Sequence, residues 1–318
     1  LLLSGGYDNV VKVWDIARNS VVKTFPLMIS STVNRITLHQ SRGYFGVASF
    51  SNAAVYNIDA DQHQAIQLPG HRGNVTGIKF LQLKGLSNSN SALRVVTSCE
   101  DGYVRLFDIQ YIIASKSKIN DCALHINQVI LFTADNSGSV YAYHLLDPDW
   151  VERQYMPKPD DVVPMRAIAL SNDSRFLYAA NQSGDLYIWK VVISEMKSNF
   201  QVDELDLTPL WHDTPHGPGV YITRLVTSPS DSNVFVTCSS DKSVIVWKFN
   251  EKTGQCEQYH KLQNHSMWVW DAVFNSDGKY LLTCSSDKTI LLWSIESGRV
   301  IREFKGHSKA VIALAFND

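Results

Sequence analysis

The sequence predicts an all-β protein, a seven-bladed β-propeller closed by pairing of its C-terminal strand with its N-terminal blade. Three observations predict it. First, a phrase repeats: Leu2–Trp14, Val96–Phe107, Val236–Trp247 and Leu281–Trp293 each read as an apolar strand, a turn of small residues and Asp, and a second alternating strand ending in an aromatic. That is the spacing of a β-hairpin. Second, the terminal aromatic recurs at Trp14, Tyr56, Phe107, Tyr143, Trp189, Trp247 and Trp293, a mean interval of about 46 residues, slightly above the usual WD-repeat period. Third, the two ends of the chain complete one another. Val311–Phe316 is an apolar strand with no hairpin after it, and the hairpin Leu1–Trp14 has no such strand before it.

The elements follow in order. Blade one takes residues 1–31 plus 308–318, and 1–318 is read as a single domain. Blade two begins at Val33–Leu38 and continues through an atypical strand, Tyr44–Phe50, to Tyr56. Blade three begins at Val75–Phe80. Its first turn carries a polar, Ser/Asn-rich insertion, Gln82–Ala92, read as a flexible loop. Blade four begins at Ile119–Leu124, blade five at Met165–Leu170, blade six at Ile222–Thr227 and blade seven at Val269–Phe274. The long segment Val192–Gly219, with the acidic Asp203–Asp206 and Pro209, Pro215 and Pro218, is expected to supply the outer strand of blade five and an irregular connection to blade six. Closure removes the sheet edges an open array would expose, and it makes one domain of any length.

Composition narrows the function. Lys and Arg number 29 against 31 Asp and Glu, a formal net charge of -2, and no basic run exceeds the scattered Lys116 and Lys118. Nothing favours field-driven nucleic-acid binding. Apolar runs are too short to span a bilayer, and the sequence opens in a repeat strand without a charged leader, so the expected protein is soluble and intracellular. Of five cysteines, Cys238 and Cys284 hold equivalent repeat positions, and Cys99, Cys122 and Cys256 form no C-x-x-C pair. They read as buried thiols rather than a metal site or disulfide framework.

Three blades carry a histidine, a hydroxyl, a carboxylate and an indole. They are His307, Ser4, Asp8 and Trp14 in blade one; Thr237, Asp241 and Trp247 in blade six, with His216 a looser candidate; and His265, Thr283, Asp287 and Trp293 in blade seven. A catalytic triad needs one site with a pocket and an oxyanion hole, whereas this constellation recurs wherever the blade signature is strongest. It reads as a structural chain running from Asp to His to hydroxyl to indole N–H. Blade three keeps His71, Thr97 and Asp101 but ends in Phe107, which lacks the indole donor; blades two, four and five lack most of the network. Phosphate-loop, dinucleotide, zinc-protease and calcium-loop signatures are absent, so no catalytic residue, cofactor or metal is expected.

Function in such a ring lies on its faces. The residue before each innermost strand sits at the channel mouth: Thr32, Asn74, Lys118, Pro164, Tyr221, Trp268 and Ala310. Trp268 and Trp270 place two indoles at one strand start, where a self-contained blade needs at most one. Trp268 reads as exposed, and Trp270 fits either interblade packing or the surface. With Tyr221 beside them, and Asn74, Thr32 and Lys118 adding polar contacts, the mouth combines an aromatic anchor with a hydrogen-bonding rim. That composition suits a protein helix or loop.

Gly70–Phe80, Tyr221–Arg224, Trp268–Asp271, the closing Gly306–Asp318, and the divergent blade-four stretch Ile119–Leu145 resemble the G-beta-like, lethal-with-sec-thirteen WD-repeat subunits of the target-of-rapamycin (TOR) kinase complexes. The resemblance covers essentially the whole chain. It implies a noncatalytic propeller that docks on the kinase lobe of a giant Ser/Thr kinase and stabilises its active site. The assembly would be hetero-oligomeric, include larger scaffold subunits, and control growth and nutrient responses. It would be cytoplasmic, reaching endomembranes peripherally through the complex. The resemblance also implies that the channel-mouth face meets the kinase, which places Trp268, Trp270, Tyr221, Asn74 and Thr32 in the interface. The insertion at Gln82–Ala92, the segment Val192–Gly219 and the atypical second blade depart from the compact family pattern. Two other classes compete. A ubiquitin-ligase substrate receptor or G-beta-type signalling subunit would be favoured by a helical extension or F-box, and a channel enzyme by a bound metal or small molecule.

Overall fold

A computed structural model of the chain describes residues 2–27, 32–39, 43–59, 65–81, 94–107, 111–114, 117–145, 153–155, 163–191, 193–196, 199–202 and 209–316. The described residues form seven antiparallel four-stranded sheets and one separate two-stranded hairpin. The innermost strands are Val311–Phe316, Val33–Leu38, Val75–Leu81, Ile119–Leu124, Met165–Leu170, Ile222–Thr227 and Val269–Phe274. No helix among the described residues is long and apolar enough to cross a membrane.

Stacked blades cover both faces of their middle strands, so these strands are apolar almost throughout instead of alternating. Ile130–Asp135 and Phe176–Asn181 are buried at every position. The outer strand Gln255–Gln263 has one covered face and is largely exposed. The cores lie between neighbouring sheets: one unites Leu3, Val11 and Phe25 of blade one with Val33, Ile36 and Phe45 of blade two.

One turn geometry repeats in six blades, and blade two carries a version one residue shorter. Between the second and third strands, the residue in the left-handed region is Asn9, Ser51, Gly102, Gly138, Gly184, Lys242 or Lys288. Lys242 and Lys288 tolerate φ of 74° and 72° because the preceding aspartate organises the turn. Asp287 Oδ1 accepts from the Thr289 backbone N–H at 3.0 Å and from its hydroxyl at 2.6 Å. A side-chain acceptor of this kind fixes a turn that the backbone alone would disfavour.

The ring closes as its termini suggested. Val311–Phe316 pairs antiparallel with Leu2–Gly6, Leu2 opposite Phe316 and Ser4 opposite Leu314. Trp14 packs edge-on against Phe304 of blade seven at 6.0 Å, and the seam core adds Leu2, Leu282, Ile290 and Val311. The long segment after blade five is more regular than expected. Its outer strand is Trp211–Asp213, and Ile193–Met196 pairs with Asn199–Val202 in a hairpin outside the blade. The insertion 82–92 and the acidic stretch 203–206 lie outside the described residues. The five cysteines are free thiols.

Removing residues 311–318 takes the inner strand from blade one and leaves Leu2–Gly6 as an open edge. The expected outcome is loss of the monomer to aggregation on size-exclusion chromatography. An unchanged soluble monomer would contradict closure.

Candidate functional site at the channel mouth

Every inner strand begins with a β-bulge, a register shift after its first residue. A bulge re-aims one side chain out of the ladder. The seven bulged residues are Asn34, Thr76, Asn120, Arg166, Thr223, Trp270 and Ile312. They line a mouth cavity of about 210 Å³ together with Tyr7, Asn74, Glu100 and Tyr221. Four of them bond the first carbonyl of the next blade's inner strand. Asn34 donates to Val75 O at 3.0 Å, Thr76 to Ile119 O at 3.2 Å, Asn120 to Met165 O at 2.7 Å and Thr223 to Val269 O at 2.5 Å. The rim is thereby stitched from blade to blade.

A second ring comes from the hairpin turns, at the residue preceding the aspartate position. Asn136 accepts from Asn120 at 2.9 Å, Gln182 from Arg166 at 2.7 Å, and Ser286 from the Trp270 indole N–H at 2.6 Å. In six blades the same turn residues hold the chain just before the inner strand through their backbone, as where Ser286 N donates to Trp268 O at 3.0 Å and Glu100 N to Asn74 O at 2.8 Å. In blades one and two this ring is apolar, with Tyr7 41% and Phe50 62% exposed.

The aromatic side chains cluster on one side of the face. Trp268 stacks on Tyr221 at 6.4 Å and tilts against Trp270 at 5.4 Å. It remains 45% exposed beside Met267 at 50%. Its position is set by neighbours on both sides, so little side-chain entropy remains to be lost on contact. Trp270 is half-buried; it both packs against the seam core and lines the mouth. Asn74, also half-buried, receives the Asn34 amide at 2.5 Å. Asn74, Tyr221 and Trp270 share the cavity, while half-buried Thr32 and exposed Lys118 hold equivalent strand starts without lining it. Tyr7, Phe50, Met267 and Arg166 were not singled out from sequence. The available signal for Tyr7 and Phe50 was their shared turn position, where other blades carry polar residues.

The recurrent polar chains are assembled in three blades. His307 Nδ1 lies 2.8 Å from Asp8 and its Nε2 2.7 Å from Ser4 Oγ, which accepts from the Trp14 indole at 2.7 Å. In blade seven, His265 links Asp287 at 2.9 Å to Thr283 at 2.8 Å, and Trp293 donates to Thr283 at 2.8 Å. His216 does the same between Asp241 at 3.0 Å and Thr237 at 2.8 Å, with Trp247 at 3.1 Å. The three hydroxyls are 0% exposed, so no substrate reaches them as nucleophiles. Burial alone would raise Asp8, Asp241 and Asp287, but the hydrogen bond from each histidine, with turn donors, outweighs it and holds the carboxyls low. Blade three breaks the chain. His71 meets Thr97 at 2.8 Å, but Asp101 is taken by Arg105 at 3.0 and 2.7 Å. His71 Nδ1 is left buried without a partner. Burial, then the Arg105 charge, push His71 down to about 4.

Below the mouth, two buried carboxylates and two half-buried guanidinium groups meet across the channel. Arg35 reaches Asp121 at 3.3 Å and Asp271 at 3.7 Å, while Arg224 reaches Asp121 at 2.8 Å and Asp271 at 3.1 Å. Each carboxylate also accepts a backbone N–H from the next blade, Asp121 from Ile168 at 3.2 Å and Asp271 from Leu314 at 3.0 Å. The tetrad ties blades two, four, six and seven across the axis and separates the mouth from a lower cavity of about 550 Å³. Among the described residues, no group of His, Cys, Asp and Glu could hold a metal ion.

A family model described as WD domain, G-beta repeat matches residues 1–15, 62–108, 209–248 and 256–294. Those segments contain the hairpins of blades one, three, six and seven, where the histidine and hydroxyl positions are filled. Over its whole length the chain is 33% identical to the target of rapamycin complex subunit wat1 of Schizosaccharomyces pombe, covering 96% of that protein. It is 31% identical to the protein LST8 homolog of Drosophila melanogaster, again covering 96%. It is 28% identical to the target of rapamycin complex subunit LST8 of Saccharomyces cerevisiae, covering 99%.

The lowered carboxyls set a pH dependence. A carboxyl whose folded pKa lies below its unfolded value stabilises the fold fully above about pH 4 and loses that contribution as pH falls through the folded value. Asp287→Asn is expected to cost about 1–3 kcal/mol in urea denaturation at pH 7 and to flatten the acid limb between about pH 4 and 2. Equal stability, or a parallel acid limb, would contradict the role assigned to His265 and Asp287.

Proposed function

The chain belongs to the LST8 family of WD-repeat proteins, and on that premise we propose that it is a noncatalytic scaffold and regulatory subunit of a TOR Ser/Thr kinase complex. The docking unit is the whole propeller, 1–318, acting as one domain, with blade one drawn from 1–31 and 308–318. Its channel-mouth face seats on the kinase domain and steadies it, while larger scaffold subunits bind elsewhere on the ring. The complex is cytoplasmic, and any position on endomembranes comes through the other subunits.

The observation that carries this reading is the Tyr221–Trp268–Trp270 stack on a face otherwise stitched by its own hydrogen bonds. Burying the exposed part of Trp268, about 100 Å², contributes about 2–3 kcal/mol at about 25 cal/mol per Å² before the costs of association. That is the scale of an interface hot spot. Thr32, Asn74 and Lys118 supply polar contacts around it, where direct or water-mediated hydrogen bonds fix orientation more than they add affinity.

Trp268→Ala removes the anchor and leaves the Trp270 bond to Ser286 in place. The variant is expected to fold like the parent by circular dichroism and to lose at least about tenfold in affinity for the copurifying kinase; adding Trp270→Ala should abolish copurification. Undiminished capture of the kinase by the double variant would overturn the proposed face.

A further inference from the structure

The channel wall carries more positive charge than its carboxylates balance. Around the lower cavity the charged side chains are Arg35, Lys79, Arg224 and Asp271, with Asp121 completing the tetrad above. Both carboxylates are already engaged. Asp121 accepts from Arg35, Arg224 and two backbone N–H groups, and Asp271 from Arg224 and two backbone N–H groups, with Arg35 also close. The third cation, Lys79, sits on the inner strand Val75–Leu81, one step farther down the channel than the tetrad. Its counterparts on the other inner strands are uncharged, Thr37 and otherwise alanine or valine, as at Ala123 and Val226. Among the described residues no carboxylate or carbonyl lies within bonding distance of its ammonium.

We propose that the lower half of the channel is a binding site for a small oxyanion of the phosphate or sulfate class, held by the Lys79 ammonium together with guanidinium donors of Arg224 and Arg35. Arg224 directs Nε and Nη1 to the carboxylates, which leaves Nη2 free of them on a residue that lines the cavity; Arg35 directs Nη1 and Nη2 to them and retains Nε. Three positive groups lining one concave cavity attract an anion more strongly than the same groups on an open surface. Tetrahedral oxyanions offer several acceptors to such a set. Half-buried Lys79 is under strain in the free protein: burial, and next the Arg224 charge, lower its pKa from the ordinary lysine value. A bound anion relieves both. The tetrad lies between this cavity and the mouth, so the ligand comes from the face opposite the proposed kinase contact, and occupancy does not compete with that contact.

The test is isothermal titration of the full chain with inorganic phosphate, sulfate and chloride at constant ionic strength, repeated on Lys79→Met and Lys79→Gln. The parent is expected to show saturable one-site binding of phosphate or sulfate and none of chloride. Both neutral variants should bind at least about tenfold more weakly. In chloride buffer they should melt no lower than the parent, because they remove an unbalanced, half-buried cation. Absence of saturable oxyanion binding by the parent, or undiminished affinity in either variant, would overturn the proposal.

Discussion

Everything in this molecule depends on one pairing, the antiparallel ladder between Val311–Phe316 and Leu2–Gly6. A blade cannot bury its own faces. Its second and third strands are apolar on both sides and need a neighbour on each. Closure supplies blades one and seven with each other, and the seam is built as heavily as any other junction. The His307, Ser4 and Trp14 chain crosses it, as do the Trp14–Phe304 contact and the bond from Tyr7 N to Ala310 O at 3.2 Å. The seam therefore continues the ring without a weak joint between the two ends of the chain.

Given closure, a single device shapes the channel-mouth face. The bulge after the first residue of every inner strand places seven side chains around the mouth, and the turn residues form a second ring outside them. Most of these side chains are bonded to one another, so their polar groups are satisfied before any partner arrives. The exception is the aromatic group from Tyr221 through Trp270, with Tyr7 and Phe50 on the following blades. Pre-positioned apolar surface on a rigid rim is what an interface anchor requires, because ordering costs are small when the partner docks. Beneath the rim, the Arg35, Asp121, Arg224 and Asp271 tetrad holds the ring across its diameter, where removing one member would leave an uncompensated buried charge.

Much of this was legible in the sequence because repetition amplifies weak signals. Apolar alternation ending in an aromatic placed all seven inner strands to within a residue, and the mismatched ends announced closure. The exposed Trp268 and the three histidine chains also followed from repeat positions. The bulges were not legible, since a one-residue shift leaves the apolar pattern intact while changing which side chain enters the channel. Nor was the tetrad. Asp121 lies 86 positions from Arg35 and 103 from Arg224, and only the ring geometry brings them together. In blade three, Arg105 stands where Ile245 and Leu291 stand in blades six and seven; its charge draws Asp101 away from His71, a competition that spacing alone does not reveal. The hairpin of Ile193–Met196 with Asn199–Val202 escaped notice because its strands are short and lie inside a segment punctuated by proline and acidic residues.

The central claim is that closure makes the seam part of one rigid body. Native-state hydrogen exchange on the intact chain tests it most directly, by comparing amides of Leu2–Gly6 and Val311–Phe316 with those of Ile222–Thr227 and Val269–Phe274. The account predicts that all four strands exchange together, in the slowest and highest-energy opening of the protein. Seam amides that exchange through a separate, lower-energy opening would contradict it.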